Sequence, residues 1–415
     1  MRLRLPRVSI SRDARLILLS SLLYGVGFRG VGSLLRPLYV LRLGYGPELF
    51  GVWSSMGPLA FMTFALLAGL LGSRLGVRRC QLLGGVVLIV GYGMLPLCQL
   101  VRGPWVQVLS FASNLITSGA WSFLNTNQLP ALTRATAPER RMQAYALFNA
   151  LFGLGAFGGS LLAGALPGLL GRWLALPPDG PGAYAAGLWA SAGMMMVAML
   201  PLVLLRPDER SASRPTGQPR AWPSMAVLLP LLVIGFLAQA GIAAYQMFGT
   251  AYMDQGLSLR AEAIGTVVSI GQIGAMLAAL AAPRLSRRWQ PGRDVMLASW
   301  LVVLSLVPAT LWANWLPAAL SYTLVLASNS LWLSMYQGWS MNAVAEDERS
   351  MVSGIANTAF GAAFASLSFG GGFMVAALGY RWLFAVGIAL SASGAAWLAY
   401  LLSRNRAADA SVQSS

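Results

Sequence analysis

RPDERSASRPTGQPRAW, residues 206–222, is the one long polar stretch in a chain of 415 residues. Its proline, serine, glycine and charge mark a linker rather than a regular element. Apolar stretches that fit a bilayer crossing of about 20 residues lie on both sides of it. Before it they run over 15–43, 48–72, 79–101, 104–132, 141–169 and 184–205. After it they run over 224–253, 261–282, 294–312, 315–342, 350–378 and 381–402. Hydrophobic residues make up 57% of the chain and charged residues 10%, where a soluble domain carries about 25% charged. So little charge cannot coat a water-soluble globule. The sequence predicts an all-α integral membrane protein with twelve transmembrane helices.

The arginines set the orientation. The chain has 29 basic residues, all arginine, against 13 acidic ones, for a net charge of +16. In a soluble protein that excess would suggest nucleic acid. Here 22 arginines fall on the side of the linker and the chain ends, among them Arg74, Arg78, Arg79, Arg140, Arg206, Arg284 and Arg404. Five fall on the other side: Arg42, Arg102, Arg172, Arg260 and Arg381. Positive loops stay inside, so both termini are expected in the cytoplasm, in the plasma (inner) membrane, with no nucleic-acid partner. The basic start Arg2, Arg4, Arg7 followed by apolar residues resembles a signal peptide. Its long apolar run and lack of a small-residue cleavage site read instead as a retained first helix. Cys80 and Cys98 sit at opposite ends of the third stretch, about 27 Å apart along a helix, too far for a disulfide. With no histidine at all, no metal or redox site is expected, and no cofactor.

The two sides of the linker resemble each other. GSRLGVRR (72–79) follows the second stretch, and APRLSRRW (282–289) follows the eighth. Arg141, Asn149, Phe152, Gly153, Ser160 and Gly164 recur 208 positions later as Arg349, Asn357, Phe360, Gly361, Ser368 and Gly372. Parallel six-helix repeats that hold a substrate between them are a transporter architecture. The expected organisation is a first bundle at 1–205, a cytoplasmic linker at 206–222, a second bundle at 223–403 and a cytoplasmic tail at 404–415.

With twelve spans, a central linker and a basic loop after the second helix, the chain resembles the major facilitator superfamily over essentially its whole length. That family's loop pattern is Gly-x-x-x-Asp-Arg-x-Gly-x-Arg/Lys. Here it reads Gly69, Ser73, Arg74, Gly76 and Arg78, with serine in place of the acid. In the family the acid helps latch the cytoplasmic side, so the latch here falls to other groups. In the fifth helix Gly155, Gly159, Ser160, Ala163 and Gly164 resemble the exporter pattern GxxxGPxxGG, with Ser for Pro and Ala for one Gly. Small residues four apart let helix backbones touch; any crowded membrane helix can show the same spacing. The arginine signature of proton-driven exporters is absent from the fourth helix.

The resemblance implies two pseudo-symmetric six-helix bundles with a central cavity lined by helices one, four, seven and ten. Polar residues at helical spacing on those helices are the candidate binding groups. They are Asn114, Ser118, Trp121 and Asn125 on the fourth, Gln239 and Gln246 on the seventh, and Asn329, Trp332 and Tyr336 on the tenth. An amide buried against lipid costs several kcal/mol, so these face inward, as binding groups or as interhelical glue. Arg29 lies about 21 Å above the cytoplasmic edge of the first helix. A charge at that depth must face protein or water. It either holds a substrate's negative charge, fixes the outer gate, or pairs structurally with Glu48, Asp254 or Glu262. Arg36 is expected to snorkel at the outer interface. The acids sit at span edges, so no proton carrier is evident inside the membrane; Asp254 and Glu262 come nearest to one.

These readings favour a secondary active or facilitative transporter, not an enzyme. It would act as a monomer in the lipid bilayer, moving a small molecule by alternating access, with efflux of amphipathic or anionic solutes preferred. The alternatives are an uptake carrier of the same fold, a membrane-embedded enzyme, or a receptor that kept the fold. No nucleophile, metal cluster or paired carboxylates are visible for the enzyme. The cluster Glu346, Asp347, Glu348 reads as a solvated first turn, and no GxxxxGK[ST] phosphate loop occurs.

Overall fold

The computed structural model of the chain describes residues 11–137, 140–206, 225–286, 292–342 and 349–413. Those residues form long helices and no strand. In the first bundle these are α1 (Arg12–Arg42), α2 (Pro47–Leu75), α3 (Val77–Leu100), α4 (Pro104–Arg134), α5 (Arg141–Trp173) and α6 (Pro181–Val203). In the second they are α7 (Met225–Ala251, extended by a π turn Tyr252–Gly256), α8 (Ala261–Ser286), α9 (Arg293–Leu311), α10 (Trp315–Asn342), α11 (Arg349–Leu378) and α12 (Tyr380–Gln413). The expected linker lies outside the described residues except for Arg206, as does the Glu346–Glu348 cluster. Over the stretch expected as a tail, α12 stays helical through Gln413.

Local chemistry sets the helix starts. Ser11 caps α1, its hydroxyl accepting from the Ala14 amide at 3.1 Å. Proline opens α2, α4 and α6, where its missing N–H costs nothing. Gly76, at φ 91°, makes the turn between α2 and α3 that a side chain would strain. Eleven of the helices are long and apolar enough to cross a membrane. The other, α4, is long enough but polar, and its Ser110, Ser113, Asn114, Thr117, Ser122, Asn127 and Gln128 are buried. A polar helix can stay in a bilayer when its polar face meets protein.

The apolar cores show how the bundles meet. One core draws on both: Leu34, Leu38, Phe50 and Trp53 pack with Phe248, Ile264, Tyr322 and Phe384. These residues lie toward the face opposite the chain ends, called distal below. Two further cores stay within one bundle each, toward the terminal face. One holds Ile17, Leu88, Leu124 and Leu202; the other holds Leu228, Val295, Trp332 and Leu398. Among the described residues, then, the apolar cores join the bundles distally and stay separate toward the terminal side.

Glycine makes the distal join. A methyl on Gly265 of α8 would lie 2.8 Å from Gly164 Cα and from the Ser160 carbonyl of α5. A methyl on Gly51 of α2 would lie 2.7 Å from Gly372 Cα of α11. Gly164 and Gly372 are the repeat partners 208 positions apart, so one contact is built twice. Farther down α5, Gly155 and Gly159 pack backbone to backbone on α1, against Leu22 and Val26. That stretch of α1, Gly25–Gly32, is π-helical, a distortion common at functional sites.

Gly159→Ala drives a methyl into the Val26 carbonyl and should cost about 1–3 kcal/mol, read as a lower Tm of the detergent-solubilised protein. Its neighbour Gly158 has open space around it. Gly158→Ala should leave Tm unchanged or raise it slightly.

Candidate substrate cavity

Beneath the distal join, between the bundles, lies a cavity of about 450 Å³. Side chains from α1, α2, α3, α4, α7, α8, α10 and α11 line it. Among the sequence candidates, Arg29, Asn114, Ser118, Trp121 and Gln246 come together on its wall.

Arg36 is its best-held charge. Its Nη2 donates to Asn114 Oδ1 at 2.9 Å, and Asn114 Nδ2 donates to the Trp53 carbonyl at 2.5 Å. The guanidinium lies 5.7 Å from the Trp53 ring centroid and 5.2 Å from that of Tyr92, a cation–π arrangement on two sides. Only 9% of the residue is exposed, which corrects the expectation of snorkelling. The reason is depth: α1 runs on to Arg42, about 9 Å farther along the axis, and it is Arg42 that reaches the distal edge.

Arg29 projects from the π segment onto the cavity wall, half-buried. Among the described residues its guanidinium has no hydrogen-bond or ion-pair partner. Beside it Trp121 stacks on Phe28, centroids 3.9 Å apart, with Phe152 behind at 6.0 Å. Two buried donors on the wall are unpartnered, Arg36 Nε and Gln246 Nε2. The second bundle adds Thr250, Gln272, Tyr322 and Asn357. No Asp or Glu lines the cavity among the described residues. The wall thus presents two positive charges and spare donors, with aromatic faces beside them.

The other candidates stand elsewhere. Asn125 is exposed, one turn nearer the terminal face than Trp121. Gln239 Nε2 donates to Asn329 Oδ1 at 3.3 Å, tying α7 to α10. Trp332 stacks on Tyr336 at 4.6 Å in the second bundle's own core. There Trp332 Nε1 donates to Ser299 Oγ at 3.0 Å and the Tyr336 hydroxyl to the Leu231 carbonyl at 2.7 Å. In the loop motif Gly69 has open space around it, Arg74 is exposed in the last turn of α2, and Ser73 lies in the same turn. Arg78 Nη2 donates to the Val203 carbonyl at the end of α6, at 2.7 Å. Ser160 donates to the Ala156 carbonyl at 2.9 Å.

Reading helices one, four, seven and ten alone missed Trp53, Tyr92, Gln272 and Asn357. Only Asn357 carried a signal, as a repeat identity inside a span.

Above the cavity the distal face carries a clasp. Arg42 holds Asp254 by two parallel bonds, Nη1 to Oδ2 at 2.5 Å and Nη2 to Oδ1 at 2.7 Å. Arg42 also donates to the Tyr184 hydroxyl at 3.3 Å. The acid's side chain is 3% exposed and the arginine's 22%. Asp254 was a candidate partner of Arg29; its partner is Arg42, and the pair bridges α1 and α7 across the two bundles. Bidentate pairs of this kind fix geometry as well as adding energy. Asp254→Asn should loosen the clasp, since bonds to charged groups are worth about 1.5–3 kcal/mol. With Ser54→Cys in the cavity wall as reporter, labelling by an impermeant thiol reagent from the distal side should rise by about tenfold. The native Cys80 and Cys98 are buried and give little background.

A family model described as Major Facilitator Superfamily matches residues 17–366 and 231–415. No curated protein matches the sequence. Among solved structures, a mutant of the nucleoside transporter NupG superposes with TM-score 0.74 at 14% identity, covering 94% of this chain and 99% of that one. The POT family transporter PepTSo gives 0.72 at 13%, covering 95% and 98%. A bacterial metal transporter gives 0.69 at 16%, covering 94% and 99%. At such identities the likeness is one of fold.

Proposed function

The chain belongs to the Major Facilitator Superfamily of transporters, and from that premise we propose that it carries small organic anions across the membrane by alternating access through the cavity of Arg29 and Arg36. The observation that carries this reading is the wall itself: two guanidiniums and orphaned donors, with no carboxylate lining it among the described residues. Such a wall stabilises acceptors and negative charge, because charge-assisted hydrogen bonds are stronger than neutral ones. Trp53, Tyr92, Trp121 and Phe28 offer apolar faces to the rest of the ligand. The proposed substrate is therefore amphipathic, a carboxylate, phosphate or sulfonate on an apolar body.

The arginine-rich terminal face is proposed to be cytoplasmic by the positive-inside rule, in the plasma (inner) membrane. The bundles part on that side, so in this state the cavity loads from the cytoplasm, and the α5 glycine pattern resembles that of exporters. The glycine pattern supports efflux over uptake. Release to the distal side requires the Arg42–Asp254 clasp and the two glycine joins to open, while the terminal ends close.

Purified protein in proteoliposomes with an organic anion on both sides should move labelled anionic aromatic solutes down their gradient without ATP; a requirement for ATP rejects the reading. Thermal shifts against a panel of metabolites identify the ligand, since binding stabilises the folded form. Arg29→Ala should weaken anionic ligands at least about tenfold more than neutral ones of the same shape. Equal losses for both would assign Arg29 a structural role.

A further inference from the structure

The cavity differs from the clasp above it in one respect: the clasp's arginine has its acid and the cavity's arginines have none. Arg36 is held by a neutral amide and two rings. Arg29 has no hydrogen-bond or ion-pair partner among the described residues and stands half-buried on the cavity wall. No acid of the described residues lines the cavity, and those nearest it are placed elsewhere. Asp254 is bound to Arg42. Asp294 accepts from Ser286 Oγ and the amides of Gly292 and Val295 at the α8–α9 turn. Glu48 and Glu262 sit in the first turns of α2 and α8.

Closing the terminal side takes water away from Arg29. A charge inside a span without a partner is costly, so the empty protein resists occlusion. A bound anion supplies the missing countercharge and removes that cost. The same holds in both directions, because the wall that closes is the same wall.

We propose that this protein is an anion exchanger: it changes sides only when an anion occupies the cavity, so one anion leaves in return for another entering. The inference rests on the transport reading above and adds its coupling. The driving force is then the gradient of the counter-anion, and no titratable carrier is needed inside the membrane. The exchanged species share one chemistry, an acceptor group that reaches Arg29.

The test needs no known substrate. Spin labels at Ala137→Cys, exposed after α4, and Arg284→Cys, exposed near the terminal end of α8, report the width of the terminal opening. The full-length protein is measured in lipid nanodiscs in anion-poor buffer. The parent should show the open distance alone. Arg29→Gln, which removes the charge and keeps a polar side chain, should raise the closed fraction at least about tenfold. Arg29→Lys, which keeps the charge, should behave as the parent. Phenyl phosphate, the probe anion, should shorten the distance in the parent and change Arg29→Gln little. If the parent closes without anion as readily as Arg29→Gln, the exchange inference falls and the transport reading stands. If neither protein closes under any of these conditions, alternating access itself falls.

Discussion

The architecture depends on two places where helix backbones touch. Gly164 on Gly265 and Gly51 on Gly372 bring α5 to α8 and α2 to α11 closer than any side chain would permit. In a bilayer no hydrophobic force draws helices together, so van der Waals contact of this closeness is the main attraction available. Both contacts lie toward the distal face. They hold the bundles together there while the separate terminal cores leave them apart, and the cavity is the space that results.

Charge is placed against that frame with economy. Three arginines follow one another up α1, and each meets a different environment. Arg29 faces the cavity without a countercharge, Arg36 is buried between two rings and an amide, and Arg42 is locked to Asp254. The π segment Gly25–Gly32 carries the first of them and also packs on α5 through Gly25 and Gly30. The helix that bears the cavity's charges is thus the one pressed directly on the glycine-rich face of α5.

Much of this could be read from residue types. Each expected span holds one helix, because apolar length is dictated by bilayer thickness. The small residues of α5 do bring backbones into contact, though with two partners: Gly155 and Gly159 meet α1, while Gly164 meets α8. Arg29, Asn114, Ser118, Trp121 and Gln246 share the cavity wall, since polar groups at mid-span have few other places to go. Trp332 and Tyr336 show the limit of that rule. Their spacing put them on a stripe with Asn329, but their polar atoms found Ser299 and the Leu231 carbonyl inside the second bundle. A stripe tells that a face is polar and not whether its neighbour is a ligand or a helix.

What the amino-acid sequence alone determined is the class: an all-helical membrane protein with a helix at each of twelve expected spans. Composition and periodicity suffice for that, because the bilayer imposes one helix length and punishes every exposed polar group. What only the tertiary structure decided is pairing: that Asp254 belongs to Arg42 and not to Arg29, that Arg36 is buried against Asn114, Trp53 and Tyr92, and that the bundles meet on one side. Those partners are 212 positions apart for the ion pair and 78 for the amide. No local pattern links residues so distant; they meet only where the tertiary fold sets α1 beside α4 and α7.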